Sequence, residues 1–99
     1  MELTNDVLLK AGFKSDNPNN ALTSFYLTND KKPEWRISIK KLYKPYSNKL
    51  MYTVDCWLCN MNGIIIKRAS LTDVTTTLEL QKIIDLCKIN HKLIINKGI

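Results

Sequence analysis

The stretch MYTVDCWLCNMNGIIIKR, residues 51–68, sets the plan of the whole chain. Two strand-like runs flank Asn62-Gly63. That dipeptide is the strongest short-range hairpin signal, because a two-residue type I′ turn needs positive φ at both central residues. Such a turn opposes Met61 to Ile64. Counting outward, Cys59 meets Ile66, Leu58 meets Lys67 and Trp57 meets Arg68, and opposed residues share a face.

Upstream, Trp35–Tyr43 alternates, with Trp35, Ile37 and Ile39 on one side and Arg36, Ser38 and Lys40 on the other. Pro45 and Asn48 mark the turn into a strand over Met51–Met61. If Tyr43 opposes Leu50, then Trp35, Ile37 and Ile39 meet Leu58, Cys56 and Val54 on one apolar face. The other face then collects Arg36, Ser38, Lys40, Thr53, Asp55, Trp57 and Arg68, with Met61, Ile64 and Ile66 toward the tip. Arg36 lies opposite Trp57, and Trp57 opposite Arg68. An aromatic between two arginines, beside Lys40, suits a planar anionic ligand or an unstacked base. Asp55 is placed to orient Arg36 or Lys40. The competing arrangement covers this face with the amino-terminal helix or another loop and makes Trp57 a core residue.

At the chain's ends, Thr4 or Asn5 caps a short helix over Asp6–Ala11 that stops at Gly12. Ser15–Asn20 reads as a loop, Thr23–Thr28 as a strand and Asn29–Pro33 as a turn. Thr76 and Glu79 form a capping box that starts a helix over Thr77–Lys88. Its stripe of Leu80, Ile83, Ile84 and Cys87 matches the apolar sheet face. Leu93–Ile95 is expected to form a last short strand. The fold class is α+β: a short helix, an antiparallel meander of three to four strands, a helix packed on one sheet face and a short final strand.

The 99 residues suit one domain. The opening residues lack a basic region followed by an apolar stretch, and the longest apolar run is Ile64-Ile65-Ile66. Neither a signal peptide nor a membrane span is expected. Three cysteines are expected to stay reduced, in a cytoplasmic protein.

Cys56 and Cys59 have C-x-x-C spacing, and Cys87 and His91 add a C-x-x-x-H pair, together imitating a zinc site. An odd separation in a regular strand puts Cys56 and Cys59 on opposite faces, so buried thiols and no metal are expected. His91 follows a helix without a carboxylate at helical spacing, which points to a surface or capping role. The three glycines form no phosphate loop, and no nucleophile, base and oxyanion site come together. The expected class is a binding protein without cofactor, not an enzyme.

The net charge of +6 is concentrated. Between Lys31 and Lys49 lie Lys31, Lys32, Arg36, Lys40, Lys41, Lys44 and Lys49 against one acid, Glu34. Interleaved with Tyr43 and Tyr46, the lysines are the candidate contacts of a nucleic-acid-binding module. A solvated hairpin explains the same charges.

The pairs Leu8-Leu9 and Gly12-Phe13, and later Glu79-Leu80-Gln81, together resemble a pattern of small accessory proteins of tailed phages and prophages of Bacteroides-type bacteria. The two pieces cover about a quarter of the chain, at its ends. The resemblance implies an accessory role in a host bacterial cell and no enzymatic activity. Three readings follow. The first is a counter-defence protein that sequesters a nucleotide signal on Arg36, Lys40, Thr53, Asp55, Trp57 and Arg68, or blocks a host protein. The second is a nucleic-acid-binding module. The third is a structural or virion component that acts as a homo-oligomer through its half-apolar face.

Overall fold

The computed structural model describes residues 1–17, 19–20 and 22–93. In chain order the elements are α1 (Asn5–Lys10), β1 (Lys14–Ser15), β2 (Ser24–Asn29), β3 (Trp35–Tyr43), β4 (Leu50–Cys59), β5 (Ile65–Val74) and α2 (Thr77–Leu86). The strands form one antiparallel sheet in the order β1-β2-β3-β4-β5, a simple meander. The α+β class holds, with five strands instead of three or four. The extra one, β1, pairs Lys14 with Tyr26 and Ser15 with Phe25, so Ser15 belongs to a strand and not to the loop expected there.

The central hairpin forms through a different turn. Asn60 N–H donates to the Ile64 carbonyl at 2.8 Å, and Gly63 N–H donates to the Asn60 carbonyl at 3.0 Å. Gly63 has φ +80°, whereas Asn62 does not adopt positive φ. The loop therefore has three residues, Met61–Gly63, and Asn60 instead of Met61 faces Ile64. The Asn60 side chain favours this wider turn, because its Oδ1 accepts from Asn62 N–H at 2.8 Å and Ile64 N–H at 3.1 Å. Cys59 pairs with Ile65 and not with Ile66. An irregularity between Leu58 and Cys59 then takes up Ile66, and Leu58↔Lys67 and Trp57↔Arg68 pair as read from the sequence. The offset of the turn and the offset of the bulge cancel.

The β3–β4 register runs from Tyr43↔Leu50 to Trp35↔Leu58, with Ile37↔Cys56 and Ile39↔Val54 between. Ile37, Ile39, Val54 and Cys56 have no exposed surface. They share one core cluster with Leu8 and Phe13 at the amino-terminal end and with Leu80, Ile83, Ile84 and Cys87 of the α2 stripe. Both helical segments thus cover the same face of the sheet. Each fully buried large apolar side chain contributes about 1.5–3 kcal/mol over its exposed state.

Local signals fix the helices. Thr4 caps α1 by accepting from Val7 N–H at 3.1 Å. Thr76 caps α2 by accepting from Glu79 N–H at 3.2 Å, while Glu79 Oε1 accepts from Thr75 Oγ1 at 2.7 Å. The helix ends at Leu86, two residues short of the expected Lys88, which adopts φ +62°. The amino terminus is tied in by main-chain bonds from Leu3 N–H to the Thr75 carbonyl and from Thr77 N–H to the Met1 carbonyl, both 2.8 Å.

Leu93 lies in no strand. Its N–H donates to Gln81 Oε1 at 2.8 Å, and Gln81 Nε2 donates to the His91 carbonyl at 2.9 Å, so Gln81 clamps this segment along α2. The rest of the expected last strand, Ile94 and Ile95, lies outside the described residues. Among the described residues no helix is long and apolar enough to cross a membrane.

Candidate functional site

The alternation of β3 and β4 gives the sheet a second face, opposite the helices, that no layer covers among the described residues. Arg36 is exposed, and Trp57, Ser38, Thr53 and Asp55 are half-buried. Trp57 is therefore not a core residue, and the arrangement in which the amino-terminal helix covers it does not occur. A groove of about 620 Å³ runs over this face. Its lining contains all six residues expected to bind a ligand: Arg36, Lys40, Thr53, Asp55, Trp57 and Arg68. Ser38 and Ser70 complete it.

The contacts inside the groove differ from the expected sandwich. Arg36 faces Trp57 across the β3–β4 ladder, but its guanidinium lies over the Tyr26 ring, 5.5 Å from the centroid. Its Nε also donates to Ser38 Oγ at 3.1 Å. Arg68 faces Trp57 from the other side, yet its guanidinium is held by Asp55, with Nε–Oδ1 at 3.3 Å and Nη2–Oδ2 at 3.0 Å. Asp55 therefore orients Arg68, and neither Arg36 nor Lys40. The two arginines flank Trp57 in register while their charged heads turn to Tyr26 and Asp55, so among the described residues the indole has no cation on its face.

Three consequences follow for chemistry. With one acid against three cations the groove is net positive, and Arg36 and Lys40 have no carboxylate partner among the described residues. Arg36 is held in place before any ligand arrives, which lowers the entropy lost on binding. Thr53 Oγ1 is buried without a hydrogen-bond partner among the described residues, an acceptor and donor that a bound molecule or water can satisfy.

A second hollow of about 380 Å³ adjoins the first and shares Arg36, Ser38 and Lys40 with it, reaching Tyr26, Ser24 and Asp16 beyond. Tyr26, Ser70 and Asp16 escaped the sequence reading. Tyr26 carried a signal in the alternation of Ser24–Asn29, where Phe25 turns to the core, but placing it needed the β2–β3 register Tyr26↔Ser38.

The basic segment does not form one patch. Lys31 and Lys32 precede β3 and Lys44 and Lys49 follow it, so the two pairs lie about 30 Å apart along a nine-residue strand. Lys40 points to the open face. Its neighbour Lys41 sits on the helix side, donating to Asn5 Oδ1 at 3.1 Å with its ammonium 5.3 Å from the Tyr52 ring centre. Tyr52 Oη donates to the same Asn5 oxygen at 2.7 Å, so Lys41 helps dock α1. Lys44 pairs with Asp73 at 3.1 Å.

The three cysteines are free and buried. Cys56 belongs to the core cluster, and Cys59, buried as well, lies outside it. Burial pushes the Cys56 thiol up to about 12, with Cys87 and Asp55 adding to the effect. Such a thiol is protonated at neutral pH and is neither a nucleophile nor a ready metal ligand. His91 is half-buried, with its ring 5.3 Å from that of Trp35, so it packs instead of lying on the surface. Among the described residues no three His, Cys, Asp or Glu side chains come together as a metal site. A comparison of the chain with protein-family models, with curated proteins and with solved structures finds no match to any of them.

Proposed function

We propose that this protein is a non-catalytic binding module that receives an anionic ligand with a planar group, of nucleotide type, on its open sheet face. The supporting observation is the uncovered groove in which half-buried Trp57 lies beside Arg36 and Lys40, two cations without a carboxylate partner among the described residues. A base or similar ring stacks on Trp57, where stacking contributes about 1–3 kcal/mol. Phosphate or carboxylate oxygens meet Arg36 and Lys40. The groove's lining holds no cysteine or histidine, and its one carboxylate, Asp55, is engaged by Arg68, which suits holding a ligand rather than transforming it.

A compact ligand fits better than a long nucleic acid, because the remaining lysines of residues 31–49 lie at both ends and on both faces of the sheet. In the phage accessory role implied by the sequence resemblance, binding without turnover sequesters a nucleotide signal. The same face blocking a host protein is the second form of that role.

A thermal-shift screen against cyclic and linear nucleotides tests the reading. Saturating ligand raises the melting temperature by mass action. The shift is lost in Trp57→Ala and reduced in Lys40→Ala. Failure of every nucleotide at saturating concentration rejects the nucleotide class. Binding of single-stranded RNA or DNA that weakens steeply with salt, while mononucleotides do nothing, favours the nucleic-acid module.

A further inference from the structure

Strand β3 carries the same three side chains into two hollows. Arg36, Ser38 and Lys40 line the Trp57 groove of about 620 Å³ and also the hollow of about 380 Å³ on the β2 side. Each volume lies in the range that holds one small organic group, roughly 300–1,000 Å³. The registers set the two aromatic residues of this face on a grid. Arg36 stands in one row with Trp57, and Ser38 in the next row with Tyr26. Tyr26 and Trp57 are therefore two strands and two residues apart, about 12 Å between Cα atoms. Arg36 rises from the strand between them, with its guanidinium over the Tyr26 ring at 5.5 Å from the centroid. The two rings thus do not close on one base. They offer two platforms: the Trp57 indole, and the planar guanidinium backed by Tyr26, both surfaces on which bases stack.

Charge follows the same division. Arg36 and Lys40, the cations common to both hollows, form the middle. The acids lie to the outside. Asp16, just after β1, borders the hollow beyond Tyr26. Asp55 is drawn toward β5 by its two bonds to Arg68. Lys14 stands opposite Tyr26 at the sheet edge, outside the lining of both hollows. An anion is received in the middle, and flat rings bearing N–H donors are received on either side. A mononucleotide fills one half of this arrangement.

We propose that the ligand of this face is a dinucleotide, two bases joined through phosphate. One base lies on Trp57, the other on the Arg36–Tyr26 pair, and the phosphates meet Arg36 and Lys40. The inference rests on the nucleotide reading of the open face and extends it from one base to two. Arg36 uses its Nε on Ser38 Oγ at 3.1 Å, which leaves the other edge of the guanidinium for phosphate oxygens. Thr53 stands opposite Lys40 in the ladder, and its Oγ1, buried without a partner among the described residues, donates to a phosphate or sugar oxygen. Asp16, an acceptor only, takes an N–H of the second base.

Calorimetric titration of the whole chain at fixed salt tests the proposal. The probes are adenosine and guanosine monophosphates, the matching dinucleotides in linear and cyclic form, and a linear tetranucleotide. One dinucleotide binds per chain, in its linear or its cyclic form, at least about tenfold more tightly than the monophosphate of the same base. The tetranucleotide gains nothing further. Tyr26→Ala lowers dinucleotide affinity about tenfold and monophosphate affinity less than about threefold, the smaller loss coming from an Arg36 freed of its support. Should that variant not fold, Ser24→Trp fills the second hollow with Tyr26 and Arg36 in place, and reduces the dinucleotide to the affinity of the monophosphate. Monophosphates that bind as tightly as dinucleotides overturn the proposal and leave the single-base reading standing. Dinucleotide affinity unmoved by both variants overturns it as well. A tetranucleotide that binds more tightly still overturns it in favour of a longer strand, and a face that binds none of the probes overturns both readings.

Discussion

Asp55 grips Arg68 through both carboxylate oxygens, and in doing so removes one of three cations from the groove around Trp57. The pairing raises the proton affinity of the guanidinium, through the hydrogen bond first and the charge second. Both side chains keep contact with water, so the pair has little bearing on stability and a large one on the field inside the groove. Asp55→Asn should leave the melting temperature near that of the wild type. The same change raises the groove from +2 to +3 and should tighten binding of anionic ligands several-fold at low salt. Weaker anion binding in this variant, measured by calorimetric titration, would show that Arg68 needs Asp55 for its position.

Ile84 has no exposed surface and stands where α2 meets the sheet core. Ile84→Ala should cost about 2–5 kcal/mol in urea unfolding, from lost transfer energy and the cavity left behind. Ile66→Ala, on a side chain 56% exposed, should change stability little. Equal losses at the two sites would mean that Ile66 is covered in solution.

Glu79 illustrates how much of the helix start was legible. Thr76 and Glu79 stood at capping-box spacing, and the box forms. Hydrogen bonds from the Thr75 hydroxyl and N–H hold the Glu79 carboxyl below its ordinary value of 4.5, desolvation opposes them, and Thr76 adds smaller hydrogen bonds. A carboxyl depressed by folding contributes stability that is present above its unfolded pKa. That contribution is lost as pH falls through the folded value. Denaturant melts should therefore show wild type and Glu79→Gln converging as pH falls from 4.5 through the lowered folded value, with a difference that is full at neutral pH. A difference independent of pH would assign the role to packing.

His91 has the opposite chemistry and a similar direction. Burial lowers its pKa below 6.5, and its Nε2 has no partner among the described residues. The unfolded chain takes up a proton first as pH falls. Stability is thus full above about 6.5 and declines as pH drops from there toward the folded pKa. His91→Phe, which keeps a ring beside Trp35, should lose that decline. The change is read by urea melts across the pH series, with the His91 ring proton titrated by NMR.

The legible parts of the fold were those governed by local chemistry or strict alternation. Residues 35–43 alternate without interruption, and their register to β4 agrees with the one inferred from apolar matching. The hairpin turn was misread because Asn60, outside the Asn-Gly pair, supplies an acceptor to the loop. The pairing beyond it survived only because the bulge at Ile66 restored the count. The groove's residues were legible from parity, but their partners were not. Arg36 leans on Tyr26, a residue on a strand whose register depended on the loop between β2 and β3, and no periodicity reveals that Asp55 prefers Arg68. His91 was misplaced because its burial against Trp35 depends on the Gln81 clamp, a contact across ten residues.

The central claim is that the open face around Trp57 binds an anionic planar ligand. The most direct measurement is Trp57 observed by NMR, through its indole N–H cross-peak, during titration with nucleotides. The two tryptophans are separable by Trp57→Phe. A saturable shift of the Trp57 signal that Lys40→Ala weakens, with Trp35 on the helix side unmoved, is the predicted result. A Trp57 signal that stays fixed at saturating nucleotide, or that moves equally in Lys40→Ala, contradicts the claim.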